Sequence, residues 1–264
     1  MLKLRLLTVA VVLPAFVAAL WLLPNAWWAA GVFLVAALAA QEWTALAGFR
    51  RPARLLFHAG LAAACLGLWL AGGSAHAASM AAAEQALYVI SIGFWCSLAP
   101  LYLWRKYRVR GAAAFGIGIL MIVPSWLALT RMQDDPLRLL LLLAVVWIAD
   151  SAAYFTGLAC GRHKLAPSIS PGKTWEGVAG AFAAVALYAC VLALADAGRR
   201  GMATVVCACV AMAALSIVGD LFESWCKRQA GVKDSGSVLP GHGGILDRID
   251  GLVAALPLAA LVFA

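Results

Sequence analysis

Charge is scarce in this sequence. Only 12% of its 264 residues are Asp, Glu, Lys or Arg, about half the share of a soluble domain, and the mean hydropathy is +0.93. That excludes a soluble globular domain and a disordered chain alike. The seven cysteines include no CxxC pair, so neither a zinc site nor a disulfide framework is implied. Cys65, Cys96, Cys190, Cys207 and Cys209 fall inside apolar runs, as small apolar residues do. No polar stretch is long enough for a separate soluble domain, and no internal repeat is evident.

Apolar runs fill the space that charge leaves. A helical span needs about 20 largely apolar residues, and nine segments qualify or nearly so: 3–23, 26–48, 55–73, 83–104, 111–130, 137–157, 175–196, 202–222 and 251–264. The opening MLKLRLLTVAVVLPAFVAALWLL resembles a signal peptide, with Lys3 and Arg5 as its basic end, but a second span follows at once. It is read as an uncleaved first helix. The expected fold is an all-α, polytopic integral membrane protein of about nine transmembrane helices. Residues 1–135 supply N-terminal helices, and 136–264 supply the catalytic helices and loops of the same membrane-embedded unit.

The net charge of +8 has a topological explanation. With the N-terminus in the cytosol, sixteen of the twenty basic residues fall on the cytosolic side, leaving Arg131, Arg138, Arg199 and Arg200 outside. This is the positive-inside bias. The loop GGSAHAASMAAAEQ, which has no Lys or Arg, falls outside. No nucleic-acid partner is implied.

That bias does not explain carboxylates. Seven of the twelve acids gather at the cytosolic side of the last third: Asp150, Glu176, Asp220, Glu223, Asp234, Asp247 and Asp250. Acids among bases on one face suit a metal ion and an anion together; the alternative is a solvated loop balancing its own charge. Asp150, in VVWIADSAAYFTG, lies about 20 Å along the sixth span at 1.5 Å per residue. An intramembrane carboxylate of this kind usually faces a polar cavity, although a structural hydrogen bond would also hold it. In SIVGDLFESWCKR, residues Asp220, Glu223, Ser224 and Lys227 are three, four and seven apart and share one helix face. A Glu223–Lys227 pair explains two of the four.

Between this helix and the last one runs AGVKDSGSVLPGHGGILDRID. Gly231, Gly236, Gly243 and Gly244 allow positive φ and close approach to a ligand, and exposed amides in such a turn cradle phosphate oxygens. Asp247 and Asp250 follow, three apart, with Lys233 and Arg248 as nearby cations. Carboxylate oxygens suit Mg²⁺. Upstream, GRHKLAPSISPGKTWEG sets Ser170, Lys173 and Thr174 just ahead of a helix, where an anion is favoured. It lacks the spacing of a P-loop.

The segment Ser224–Asp250 resembles the signature of phosphatidate cytidylyltransferases, the CDP-diacylglycerol synthases. Ser224, Lys227, Arg228, Lys233, Asp234, His242, Gly243, Gly244, Asp247, Arg248 and Asp250 stand at its motif positions. ADSAAYFTG and ISPGKTWEG resemble the same family, so the likeness covers roughly 140–264, and Cys226 departs from it by replacing a larger apolar residue. The resemblance implies transfer of the cytidylyl group of CTP to phosphatidate, for phospholipid biosynthesis, at a polar funnel on the cytosolic side of the C-terminal half. It implies Mg²⁺, with room for a second cation, held by Asp220 and Asp247 and optionally Asp150 and Asp250. Lys227, Lys233 and Arg248 join the two aspartates as catalytic residues. Ser170, Lys173, Thr174, Ser224, Arg228, His242, Gly243 and Gly244 are candidate substrate and phosphate contacts. Membrane lipids, a homodimer and a bacterial cytoplasmic membrane are further expectations. A lipid or polyprenol kinase is the nearest rival; a transporter would place its site near the midplane among repeats.

Overall fold

The computed structural model describes residues 2–72, 77–195, 200–238 and 243–264. Its helices are α1 (Leu2–Leu22), α2 (Asn25–Leu46), α3 (Arg51–Gly72), α4 (Ala77–Gly93), α5 (Ala99–Arg105), α6 (Gly111–Arg131) and α7 (Pro136–Cys160). A two-stranded antiparallel hairpin follows, β1 (Lys164–Ala166) and β2 (Ser170–Thr174), then α8 (Trp175–Ala195), α9 (Met202–Ala230) and α10 (Leu246–Phe263). Among the described residues, seven helical segments are long and apolar enough to cross a membrane. The protein is a multi-pass, almost wholly helical membrane protein. The hairpin is an element that hydropathy could not reveal, being short, polar and confined to a connection.

The expected span 83–104 is one continuous helical rod, α4 running through a π-helical turn at Phe94–Leu98 into α5. Pro100 supplies the cause: without an N–H it cannot bond the carbonyl four residues back, and the ladder widens there. The last helix starts at Leu246, five residues before the apolar run 251–264, so Asp247 and Asp250 lie on its first turns.

In a bilayer, helices gain little by hiding apolar surface from lipid, so they associate through close packing and hydrogen bonds. The apolar windows of α6 and α9 are each 61% buried, against 17% for α3, which puts α6 and α9 at the centre and α3 at the periphery. Gly118 of α6 lies beneath the indole of Trp43, whose Nε1 donates to the Ala114 carbonyl at 3.0 Å. Trp126 Nε1 reciprocates from α6 to Ala29 of α2 at 3.1 Å. At the crossing of α9 and α10, Gly219 faces the Asp250 carbonyl so closely that a Cβ would strike it.

Two internal prolines leave carbonyls without their usual donors, and a serine answers each. Pro257 frees the carbonyl of Val253, which lies 3.0 Å from Ser125 Oγ on α6, a hydroxyl shared with the Met121 carbonyl of its own helix at 2.8 Å. Pro124 frees that of Leu120, which accepts from Ser91 Oγ on α4 at 3.2 Å. An unsatisfied carbonyl in hydrocarbon is costly, so each serine stitches two helices at the point where one is weakened.

Ser125→Ala should therefore destabilise the protein by about 1 kcal/mol in a detergent thermal-unfolding assay. In a Pro257→Ala background, where the helix can close its own bond, the same change should be close to neutral. An equal loss in both backgrounds would show that the serine does not serve the proline.

Candidate active site

Helix α9 keeps its helical spacing well past the apolar run, and this carries the acidic and basic face expected from the sequence. Ser224 Oγ donates to Asp220 Oδ1 at 3.3 Å. One turn on, Lys227 Nζ reaches two carboxylates, pairing with Glu223 Oε2 and donating to Asp247 Oδ1 at 2.6 Å. Glu223 is completely buried and the Lys227 side chain is 13% exposed, so both contacts of the ammonium lie where water scarcely reaches. Gly231 closes the helix with φ +72°, its amide turned back to the carbonyls of Lys227 and Arg228. Its positive φ is a helix C-cap.

The β-hairpin leans over this face. Lys173 on β2 pairs with Asp220 Oδ2 at 2.5 Å. Arg228 Nε donates to the Ile169 carbonyl in the hairpin turn at 3.2 Å. Ser170 is half-buried at the start of β2. Thr174 is buried instead, and its Oγ1 accepts the Gly177 amide at 3.1 Å, capping α8. Gly157, Gly161 and Gly177 crowd around it, so α7 and α8 meet across this threonine. Glu176 accepts from the His163 amide and lies 2.6 Å from His163 Nδ1, fastening the hairpin base to α8.

Asp247 organises the glycine-rich loop from the first turn of α10. Its Oδ2 accepts the amides of Ser235 at 2.9 Å and Gly244 at 2.8 Å, while Oδ1 faces Lys227. Gly243 takes φ +87°, and a Cβ there would press on Asp247. Lys233 and Arg248 are exposed around the rim. His242 lies outside the described residues.

A carboxylate that the sequence reading passed over completes the loop. Glu42 on α2 is 4% exposed. It accepts from the amides of Ile245 at 3.0 Å and Leu246 at 2.8 Å, and from Ser235 Oγ at 2.8 Å. Its signal in the sequence was an acid, in AAQEWTAL, within a long apolar run.

Beside this cluster, Asp150 of α7 and Asp250 of α10 stand close enough to Asp220 and Lys173 to influence one another electrostatically. Asp150 is exposed and Asp220 half-exposed. Among the described residues no three His, Cys, Asp or Glu side chains are gathered tightly enough to enclose a metal ion. The donor chemistry fits a hard divalent cation nonetheless. The three groups, Asp150, Asp220 and Asp250, are oxygen donors on three different helices. An apolar cavity of about 560 Å³ lies elsewhere, between α4–α5 and α6, lined by Phe94, Tyr102 and Phe115 among others.

A profile described as "Cytidylyltransferase family" matches residues 3–264. The chain belongs to the cytidylyltransferase family. Two curated relatives match over nearly their whole length, a third over about two thirds. A phosphatidate cytidylyltransferase of Pseudomonas aeruginosa is 39% identical, covering 100% of this chain and 98% of its own length. One from Haemophilus influenzae is 35% identical over 97% and 96%. One from Brucella suis is 43% identical over 66% and 65%. Family membership thus extends through the N-terminal helices, which carried no motif, as well as the cleft built by α7, the hairpin, α9 and α10.

Lys227 is the hinge of this family member's electrostatics. Lys227→Met should cost about 3–5 kcal/mol, the price of stranding buried charge. Adding Glu223→Gln should recover much of that loss, read as thermal stability in detergent. Transfer activity should stay abolished in both. Recovery of activity along with stability would make Lys227 a purely structural residue.

Proposed function

We propose that this protein transfers the cytidylyl group of CTP to phosphatidate, giving CDP-diacylglycerol and pyrophosphate for phospholipid synthesis. The observation that carries the reading is the end-to-end similarity to the Pseudomonas aeruginosa phosphatidate cytidylyltransferase, 39% identical over 100% of this chain. The cleft supports it chemically. Two polyanions must meet, and the ammoniums of Lys173 and Lys227 are already lodged beside carboxylates where α7, α9 and α10 converge.

A phosphate oxygen of phosphatidate attacks the α-phosphorus of CTP; the bond to the bridging β-phosphate oxygen breaks, and pyrophosphate leaves with the electron pair. Phosphatidate arrives as an anion, so no dedicated base is required. Positioning and charge neutralisation carry catalysis of this type. Lys173, Lys227, Arg228, Lys233 and Arg248 neutralise phosphate oxygens, with Ser170, Ser224 and His242 as hydroxyl and imidazole contacts. Gly243 and Gly244 shape the loop against the phosphates. Asp220 would hold Mg²⁺, with Asp150, Asp250 and Asp247 as the other carboxylates within the cleft. The bound ion would supply charge stabilisation on the phosphoryl oxygens.

The orientation follows from the basic bias. The seven long apolar helices together with α1 and α10 make nine passes, with the N-terminus and the cleft facing the cytosol of a bacterial inner membrane.

CTP labelled separately at the α- and γ-phosphorus tests the reaction. With phosphatidate and Mg²⁺ the α-label should extract with lipid, the γ-label should remain in water, and chelation of divalent ions should stop transfer. Diacylglycerol should not replace phosphatidate. A γ-label in lipid would mean a kinase.

Ser237 and Gly201 are both exposed, and a Cβ at Gly201 meets nothing within 4 Å. In a cysteine-free background, Gly201→Cys should react with a membrane-impermeant thiol reagent in intact cells, and Ser237→Cys only after permeabilisation. The reverse pattern would invert the orientation.

A further inference from the structure

We infer that Glu42, on α2, is the positioning residue that sets the glycine-rich loop, and through it Asp247 and Lys227, for the transfer step. The inference rests on the cytidylyl-transfer reading for its catalytic consequence, and on contacts alone for its structural part.

The loop leaves α9 at Gly231 and returns to α10 at Leu246, so its two arms must be held together at the base. Two carboxylates do this from opposite sides. Asp247 takes the amides of Ser235 and Gly244. Glu42 takes the hydroxyl of the same Ser235 and the amides of Ile245 and Leu246. Ser235 is thereby gripped twice, by its backbone from α10 and by its side chain from α2. Ile245 is the N-cap of α10 and Leu246 its first residue, where N–H groups have no partner within the helix. A carboxylate there satisfies both and lies at the positive end of the helix dipole.

Glycine is required on both arms for this reason. A Cβ at Gly236 would meet Glu42 Oε1, and one at Gly244 would meet Glu42 Oε2 and Ser235 Oγ. The small residues therefore admit a protein carboxylate into the loop. Both oxygens of Glu42 accept, one from Ile245 and the other from Leu246 and Ser235. An amide side chain cannot replace it without turning an NH₂ toward an N–H. A displaced loop carries Asp247 with it, and Asp247 shares Lys227 with Glu223. On this inference α2 is part of the catalytic apparatus, through a side chain separated from its partners by about two hundred residues.

The test uses the full chain in detergent with Glu42→Gln and the milder Ser235→Ala. Hydrogen exchange is followed by mass spectrometry, alongside phosphatidate-dependent consumption of CTP. Glu42→Gln should speed exchange of the 243–248 amides by about tenfold or more while α6 and α7 keep their protection. It should lower kcat by about tenfold to a hundredfold, with KM for CTP changed by less than about threefold, as expected when charges are misaimed and ground-state binding is kept. Ser235→Ala should move both readouts in the same direction by a smaller factor. Unchanged exchange at 243–248 in both variants would overturn the proposal. So would a rise spread evenly over all helices with activity falling in proportion, since that is loss of global stability. If the unmodified protein consumes no CTP, the transferase reading fails, while the exchange data still decide whether Glu42 holds the loop.

Discussion

One ammonium between two carboxylates governs the cleft. Lys227 lies between Glu223, completely buried, and Asp247, the residue that gathers the loop amides. None of the three is tolerable alone at such depth, because a desolvated charge without its partner costs several kcal/mol. Together they form an acid–base–acid unit that joins the C-terminal end of α9 to the first turn of α10. Lys173 and Asp220 repeat the device on the hairpin side. The helices thus converge at a point where apolar packing gives way to paired charge, and the positions of the loop and hairpin follow from those pairs.

Polar contacts between helices also organise the region away from the cleft. Proline is permitted in α6 and α10 because Ser91 and Ser125 donate to the carbonyls that it releases. The tryptophans of α2 and α6 donate across to each other's backbones. Glycine serves the same end by a different route. At Gly118 and Gly219 it lets helices approach, whereas at Gly236 and Gly244 it lets a carboxylate approach. The residue type is one, and the thing admitted differs.

This difference marks what was legible in the sequence. Hydropathy located the apolar core of each helix because it must be continuously apolar, but not the polar ends, so α9 runs eight residues past its expected end at 222. The shared face of Asp220, Glu223, Ser224 and Lys227 could be read because helical periodicity is local, and the helix does continue through it. The π turn at Phe94–Leu98 had its cause in plain view at Pro100, but a proline alone does not say whether a helix will kink, end or widen. Thr174 read as an anion contact because a hydroxyl ahead of a helix serves either an anion or the helix itself; its burial against three glycines in the α7–α8 crossing gives it to the helix. Glu42 stood out as an acid in an apolar run, but its partners were unreadable. Its donors lie some two hundred positions away, and no periodicity or spacing connects AAQEWTAL with GGILD.

On the proposed reading, the paired state of the lysines is itself a solution to a physical difficulty. A site that must receive two polyanions needs several cations close together, and cations so placed repel one another and resist desolvation. Carboxylates held opposite them remove both objections while the site awaits substrate. Lys173 faces Asp220, and Lys227 faces Glu223 and Asp247. When a phosphate enters, an ammonium exchanges or shares one oxyanion partner for another, and the local charge changes far less than it would around a bare lysine. The carboxylates then bear the surplus of negative charge, which is where a divalent cation is best bound. Acid and base interleaved on α9 are therefore two halves of one requirement: the base must recognise phosphate, and the acid must make the base tolerable within the membrane beforehand.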